Sequence, residues 1–134
     1  MPTDPTDSSD PAPTLSIRTR LYCGEDIAMG PGKVALLEAI AREGSISAAG
    51  RALGMSYRRT WMLVDTMNRC WVTPLVETAA GGTQGGGARL TDLGQTVAAH
   101  YRDLEARIAA AAEGAAWDSL RAAMLPRPKP SQKG

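Results

Sequence analysis

Apolar residues recur along the chain with two different periods, and each period predicts one kind of element. Apolar and polar residues alternate over 15–21, which is typical of a half-buried strand. After the glycine and proline break at 30–32, the apolar residues fall on one side of a predicted helix over about 32–43, which ends at Gly44. The apolar side of this helix consists of Leu36, Leu37, Ile40 and Ala41.

Two further helices separated by a tight turn are predicted next. Ser47 is a suitable N-cap for a short helix over 48–53, and Ser56 is one for a second helix over about 57–71. Gly54 lies between them and permits a turn with positive φ. The two helices are expected to cross closely at the small side chains of Ala48, Ala49 and Ala52. The inward stripe of the second helix consists of Thr60, Val64, Met67 and Trp71.

A glycine-rich loop and a long helix complete the order of elements. Short strands are predicted over 75–78 and 88–90, on either side of a loop in which five of the seven residues 81–87 are glycine. A long helix follows from Thr91 to about Glu113, and a further short helix is predicted over 115–125. The apolar stripe of the long helix consists of Leu93, Val97, Tyr101, Leu104, Ile108 and Ala112.

This order of elements is that of a winged helix-turn-helix. The predicted fold class is mainly α, with a small β-hairpin wing and a long C-terminal dimerisation helix. In such a fold the helix after the tight turn enters the major groove, so the sequence predicts a protein that binds double-stranded DNA. The candidate DNA-binding residues are Ser47, Ser56, Tyr57, Arg58, Arg59, Thr83, Gln84 and Arg89.

The chemistry of these side chains suggests which of them contact phosphates and which contact bases. Arg58 and Arg59 suit phosphates or a guanine edge, and which of the two reads bases is left open; Tyr57 suits a thymine methyl group or a phosphate. The glycine-rich loop offers backbone N–H groups to phosphates, although a hairpin tip without contacts is the alternative. Trp61, one turn after Tyr57, is more typical of a core position than of a DNA contact.

The apolar stripe of the long helix predicts a homodimer. The stripe extends about 33 Å, which is more than one small domain is expected to cover. Pairing two such helices through Leu93, Val97, Tyr101, Leu104 and Ile108 would place two recognition helices about 34 Å apart, one turn of DNA, and the operator would then be palindromic. A helix packed on its own domain is the alternative.

Length and charge refine this prediction. The chain has 134 residues, which suits one domain, predicted over 14–125. A disordered acidic leader is expected over 1–13 and a disordered basic tail over 126–134. The net charge is only +1, but within 51–71 four arginines face one aspartate, which leaves a local charge of +3 at the predicted recognition helix.

Several classes of function are excluded by missing motifs. The sequence has neither paired carboxylates in an apolar setting nor a nucleophile elbow, and the glycine-rich loop lacks the Lys-Ser or Lys-Thr of a phosphate-binding loop, so no enzyme is predicted. One histidine and two isolated cysteines, Cys23 and Cys70, give no metal-binding spacing; buried free thiols, and no metal or cofactor, are expected. No apolar run is long enough to span a membrane, and the acidic start is unlike a signal peptide, so a cytoplasmic location is expected.

Residues 44–95 resemble the N-terminal DNA-binding domain of the molybdate-dependent transcriptional regulators, the ModE family, which are LysR-like. The motifs that carry the resemblance are Gly44-Ser45-Ile46-Ser47, Ser56-Tyr57 with Trp61, Met67-Asn68, Gly81-Gly82, Gly85-Gly86-Gly87-Ala88, Leu90-Thr91 and Gly94-Gln95. The resemblance implies a dimer held through the first strand region and the long helix, with residues 56–59 at the start of the recognition helix.

In one respect this sequence differs from the family that it resembles. Full-length members of the family continue into molybdate-binding domains, whereas this sequence ends after its tail, so a stand-alone DNA-binding form without direct molybdate binding is expected. The predicted function is a sequence-specific transcriptional regulator, in a setting related to molybdenum. The alternatives are a winged-helix protein-interaction module and a DNA-binding partner of a separate small-molecule sensor.

Overall fold

A computed structural model describes residues 12–79 and 87–131 of the chain. The chain divides into two compact units, of which the larger is Arg18–Arg107. The described residues of the other unit are 12–17 and 108–131. Most of the predicted leader lies outside the described residues, as does the end of the predicted tail, so the predicted domain limits stay predictions.

From the first helix onward, the order of elements is the predicted one. The described helices and strands are β1 (Leu21–Cys23), β2 (Asp26–Met29), α1 (Pro31–Glu43), α2 (Ile46–Ala52), α3 (Tyr57–Arg69), β3 (Val76–Ala79), β4 (Gly87–Leu90), α4 (Asp92–Ala112) and α5 (Ala115–Ala123). β1 pairs with β2, and β3 pairs with β4, both antiparallel. The winged helix-turn-helix prediction is confirmed: the chain is mainly helical, with a wing formed by β3 and β4 and a long α4.

The strand predicted over 15–21 is wrong. The described residues 12–20 form neither helix nor strand, and Leu15 and Ile17 are 48% and 43% exposed. A hairpin forms instead over 21–29, in which Cys23 lies opposite Asp26. The alternation in the sequence indicated strand propensity but not a partner strand, and the hairpin turn supplies a partner only from Leu21 onward.

The core of the larger unit is built around α1. Its buried residues are Val34, Leu36, Leu37, Ala39 and Ile40, whereas Ala41, predicted on the same side, is exposed. The helix ends as predicted at Gly44, where φ is +81° and the backbone N–H donates to the Ile40 carbonyl at 2.9 Å. α2, α3 and β4 pack around α1, so the elements that carry the candidate site share one core.

The first half of the α4 stripe belongs to the core of the same chain. Val97 and Tyr101 are buried, and the Tyr101 hydroxyl donates to the Thr19 carbonyl at 2.6 Å. The expectation that one domain is too small to cover the stripe is therefore wrong for these two residues. Leu93 and Ile108 are half-buried, and Leu104 is 37% exposed.

An ion pair fixes α4 beside α1. The Arg102 guanidinium donates to both carboxylate oxygens of Glu38, at 2.6 and 2.9 Å, and to Glu105 at 2.8 Å. The hydrogen bond from Arg102 lowers the pKa of Glu38, and the two carboxylates raise the pKa of Arg102. The charged forms of Glu38 and Arg102 are thus favoured on this face of α4.

The smaller unit contains α5 in its described part. The Arg121 guanidinium lies 5.8 Å from the centroid of the Trp117 ring, within range of a cation–π contact. Exposed apolar side chains follow along this segment, at Leu120, Met124 and Leu125. In the described ranges, no helix combines the length and the apolar character that crossing a membrane requires.

The start of α4 requires a glycine. The Thr91 hydroxyl accepts from the Gly94 N–H at 3.0 Å and donates to the Pro74 carbonyl at 2.8 Å, which draws the helix onto the chain before β3. A Cβ at Gly94 would overlap the Leu75 carbonyl. Because a backbone carbonyl cannot move aside as easily as the end of a side chain can, any other residue at position 94 requires the backbone to shift.

Gly94→Ala is therefore expected to lower the free energy of unfolding by about 1–3 kcal/mol, the usual cost of overpacking, although alanine favours helices. Gly32→Ala is the matched control, since a Cβ there meets nothing within 4 Å. It should be neutral or slightly stabilising. Urea unfolding followed by circular dichroism measures both, and equal stabilities would contradict the close approach.

Candidate nucleic-acid interface

The N-cap of α2 is Ser45 and not Ser47, so that prediction is wrong. Ser45 has an extended backbone, and its hydroxyl accepts from the Ala48 N–H at 3.0 Å. The helix consequently begins at Ile46, whose side chain is buried, and Ser47 lies half-buried in its first turn. Both serines suit an N-cap by residue type, and the burial of Ile46 decides between them.

α2 and α3 cross where Gly50 meets Thr60. A Cβ at Gly50 would overlap the Thr60 side chain, which is fully buried and donates from its hydroxyl to the Ser56 carbonyl at 2.7 Å. Ala49 is buried as predicted, but Ala52 is exposed and takes no part in the crossing. The sequence analysis missed Gly50, which its place among the small residues of α2 would have suggested.

The turn between the two helices has the predicted geometry. Gly54 has a φ of +71°, which confirms the positive φ expected there. The Met55 N–H donates to the Gly50 carbonyl at 2.8 Å and closes the turn. Ser56 then caps α3 as predicted, because its hydroxyl accepts from the Arg59 N–H at 3.1 Å. The start of α3 is therefore held by its cap, its turn and the buried Thr60.

The first turn of α3 presents cations to solvent. Tyr57, Arg58 and Arg59 are all exposed, and in the part of the chain that the structure describes neither arginine forms an ion pair. At the other end of the helix, Arg69 pairs with Asp65 at 3.0 Å. The local excess of positive charge is thus concentrated at the helix N-terminus, where backbone N–H groups also favour anions.

Trp61 is not a core residue, which corrects the sequence interpretation. It is 39% exposed, and its ring lies 6.1 Å from the ring of Tyr57 at an interplanar angle of 57°. The buried side of α3 is the stripe of Thr60, Val64 and Met67, and a residue next to Thr60 in sequence is turned about 100° away from it. The recognition helix therefore offers an aromatic pair beside its two arginines.

Lys33 adds a cation that the sequence analysis missed. It lies half-buried in the first turn of α1. Burial is the main reason why the pKa of Lys33 lies below its ordinary value, and the nearby charge of Arg59 lowers it further. A lysine in the first turn of a helix is unfavourable, because its positive charge lies at the positive end of the helix dipole. This unfavourable placement could have identified Lys33 as a candidate functional residue from the sequence.

The wing is attached directly to the end of α1. In the wing hairpin, Glu77 lies opposite Arg89, and the Ala88 N–H donates to the Gly44 carbonyl at 2.9 Å. Arg89, a predicted DNA contact, is exposed, and its guanidinium pairs with the Glu77 carboxylate at 2.6 Å. The predicted contacts Thr83 and Gln84 lie outside the described residues.

Asn68 joins the recognition helix to the wing. Its amide oxygen accepts from the N–H groups of Leu75 and Val76 at 2.9 and 3.1 Å, and its amide nitrogen donates to the Val76 carbonyl at 3.1 Å. The neighbouring Trp71 donates from its indole to the Ala28 carbonyl at 3.1 Å. These bonds fix the end of α3 against both hairpins, so helix and wing are held in one arrangement.

The cysteines are placed differently from the prediction. Both are free, but Cys23 is exposed and Cys70 is half-buried, so the expectation of buried thiols is wrong. Within 12–79 and 87–131, no group of three or more histidine, cysteine, aspartate or glutamate side chains is arranged to hold a metal ion.

Comparison with known proteins agrees with this geometry. Residues 32–95 match the family model of the bacterial regulatory helix-turn-helix protein, lysR family. The chain is 49% identical over 78 residues to the molybdenum transport protein ModE of Azotobacter vinelandii, covering 58% of this chain and 29% of the relative. It is 49% identical over 81 residues to the molybdenum-pterin-binding protein MopB of Rhodobacter capsulatus, covering 60% and 30%.

A longer match is found with the transcriptional regulator ModE of Yersinia pestis. It is 37% identical over 113 residues, which cover 84% of this chain and 39% of that regulator. The chain thus spans less than two-fifths of the length of these relatives. The match to the family model, residues 32–95, includes both helices of the helix-turn-helix and the strands of the wing.

The two serines at the start of α2 provide a test of the site's geometry. Ser45→Ala is expected to lower the free energy of unfolding by about 1 kcal/mol because it removes the cap. Ser47→Ala is the matched control and should change it by less than about 0.5 kcal/mol. Chemical denaturation measures both, and the reverse order would show that Ser47 caps the helix.

Proposed function

Residues 32–95 belong to the lysR family of bacterial regulatory helix-turn-helix domains, and on this premise we propose that the chain is a DNA-binding transcription regulator that reads a palindromic operator as a homodimer. The observation that carries the proposal is the pair of exposed arginines on the first turn of α3, which have no carboxylate partner among the described residues. A helix N-terminus with two unpaired guanidinium groups suits the phosphates and guanine edges of the major groove.

The proposed DNA contacts are of two kinds, those to phosphates and those to bases. The N–H groups at the start of α3, one of the arginines and Lys33 neutralise phosphates, which makes the affinity dependent on salt. The other arginine contacts a guanine, and the exposed pair of Tyr57 and Trp61 packs against thymine methyl groups. Ser56 acts through its cap, since its hydroxyl is already bonded to the Arg59 N–H.

In this proposal the wing and α2 contact the DNA backbone on either side of the recognition helix. Arg89 turns from Glu77 to a phosphate when DNA is bound, because both side chains of that ion pair are exposed and such pairs are weak. Thr83 and Gln84 extend the wing along the backbone, and Ser47 at the start of α2 contacts a phosphate across the groove. These contacts position the domain and carry little of the sequence specificity.

The homodimer is supported by an apolar hollow on α4. The hollow has a volume of about 300 Å³ and is almost entirely apolar. It is lined by Leu21, Trp71, Leu93, Thr96, Val97, His100, Tyr101 and Leu104. In the dimer, Leu93 and Leu104 supply the accessible contacts, and Val97 and Tyr101 form the floor. Ile108, which the sequence predicts with them, belongs to the smaller unit.

A role in molybdenum-related gene control is proposed from the relatives. Two of them are named as a molybdenum transport protein and a molybdenum-pterin-binding protein. The described residues are assigned to DNA binding and dimerisation, while molybdate recognition is assigned to a separate domain or a separate protein. The regulator acts where the chromosome is, which in a bacterium is the cytoplasm.

Arg58→Ala and Arg59→Ala test the DNA interface. The variant that loses the base contact should lose about 1–3 kcal/mol, or roughly 5- to 150-fold in affinity, at the preferred sequence only. The variant that loses the phosphate contact should weaken binding to all sequences and reduce the salt slope by about one. Fluorescence anisotropy at two or more salt concentrations measures both effects.

The probes for this test are fragments recovered by genome-wide mapping of bound sites, with and without added molybdate. Arg69→Ala is the control on the same helix, because Arg69 is paired with Asp65 and lies at the far end. If both arginine variants bind as the parent does, the docking model is wrong. Bound sites unrelated to molybdenum uptake or use would remove that part of the proposal.

Leu104→Asp tests the dimer. A charged side chain at the rim of the hollow should convert a dimer at micromolar concentration into a monomer, with the helical content unchanged. Ala99→Asp is the control, since Ala99 is exposed on the opposite side of α4. Analytical ultracentrifugation measures the assembly, and a monomeric parent, or a dimer unaffected by Leu104→Asp, would overturn the proposed interface.

A further inference from the structure

The side of α3 that faces away from the core carries a third exposed apolar side chain besides the aromatic pair. The buried stripe of the helix is Thr60, Val64 and Met67, and each residue advances about 100° around the helix axis. Four exposed residues lie about 130° to 175° from the middle of that stripe, directly opposite the core. These residues, Arg58, Met62, Asp65 and Arg69, form the outer face of α3.

Arg58 and Arg59 leave the helix in different directions. Arg59 lies only about 105° from the middle of the buried stripe, one turn before Leu63, which is half-buried against the core. Arg58 lies on the outer face, one turn before Met62, which is 58% exposed. When a helix lies in the major groove, its outer face meets the base edges and its flanks meet the phosphate backbones. Arg58 is thus placed for bases and Arg59 for phosphates.

The polar groups further along the outer face are already bonded within the helix. Arg69 pairs with Asp65 at 3.0 Å, and the neighbouring Thr66 hydroxyl donates to the Met62 carbonyl at 3.1 Å. Among the described residues Arg58 forms no ion pair, and the Met62 side chain presents only apolar atoms and a weakly accepting sulfur. The start of the outer face therefore offers a fork of donors and, one turn later, an apolar group.

We propose that Arg58 reads a guanine and that Met62 reads the methyl group of a nearby thymine, whereas Arg59 contacts a phosphate. This inference rests on the function proposed above and names the bases that the site selects. The guanidinium fork matches the two acceptors of guanine in the major groove, where thymine alone presents a methyl group that suits an apolar side chain. Four residues span about 6 Å of helix and base pairs are about 3.4 Å apart, so the two bases are close neighbours.

Modified bases in the DNA test each contact separately. The probes are the fragments recovered by mapping of bound sites, with single guanines replaced by deazaguanine, which lacks the N7 acceptor, or single thymines by deoxyuridine, which lacks the methyl group. For the parent protein, deazaguanine at one position should weaken binding roughly tenfold, since a hydrogen bond to a charged donor is lost. Deoxyuridine at one thymine near that guanine should weaken binding about fourfold, the effect of one methyl group. Fluorescence anisotropy measures these affinities.

Protein variants identify the side chain that makes each contact. Arg58→Ala should lose the sensitivity to deazaguanine, and Met62→Ala should lose the sensitivity to deoxyuridine at the neighbouring thymine only. Arg59→Ala should keep both sensitivities and reduce the salt slope by about one. Met62→Leu is the matched control, because it keeps an apolar side chain of similar size and should retain the sensitivity at that thymine. Alanine and leucine both favour helices, so circular dichroism should show the parent's helical content in all four variants.

Two outcomes would overturn the inference alone. One is a parent protein that binds its mapped fragment while Met62→Ala keeps the parent's sensitivity at every thymine. The other is an exchange of roles, in which Arg59→Ala and not Arg58→Ala loses the sensitivity to deazaguanine. A parent protein that binds no fragment at any salt concentration overturns the proposed function itself, and the inference with it.

Discussion

The position of the recognition helix depends on one close approach, that of Gly50 to Thr60. Because position 50 has no Cβ, α2 can lie directly on the Thr60 side chain, and the Thr60 hydroxyl in turn bonds to the carbonyl of Ser56, the cap of α3. Cap, crossing and buried stripe thus constrain the same first turn of α3. At the other end Asn68 fixes the helix to the wing. Base reading requires a helix held this firmly, since displaced hydrogen-bonding groups lose their partners.

Several arginines outside the recognition turn are paired with carboxylates. Around α4 and α1, Arg102 is saturated by Glu38 and Glu105, and along α3 Arg69 is paired with Asp65. The two arginines that begin α3 are exposed and form no ion pair in the described structure. A net charge of +1 therefore says little about partners, because the quantity that matters for DNA is the unpaired charge on one exposed surface.

Local patterns in the sequence were sufficient for the fold class and for the cap and turn that hold the start of α3. Apolar stripes, the cap at Ser56 and the turn at Gly54 depend on neighbours within a few residues, so they could be predicted. The errors share a different cause: the choice between Ser45 and Ser47, the exposure of Trp61 and the exposure of Cys23 depend on which surfaces other elements cover. Those contacts join residues far apart in sequence, and no local period encodes them.

The apolar stripe of the long helix is divided between the core and an accessible surface. Tyr101 belongs to the core, since it is buried and its hydroxyl is bonded to Thr19, whereas Leu104, one turn further, is accessible at the rim of the hollow. A partner seated there would rest on side chains whose positions the core has already fixed. Its binding would order few additional groups and so cost little conformational entropy. The same rigidity would transmit the dimer geometry to the recognition helices, because α4 begins on the loop that Thr91 binds to the chain before the wing.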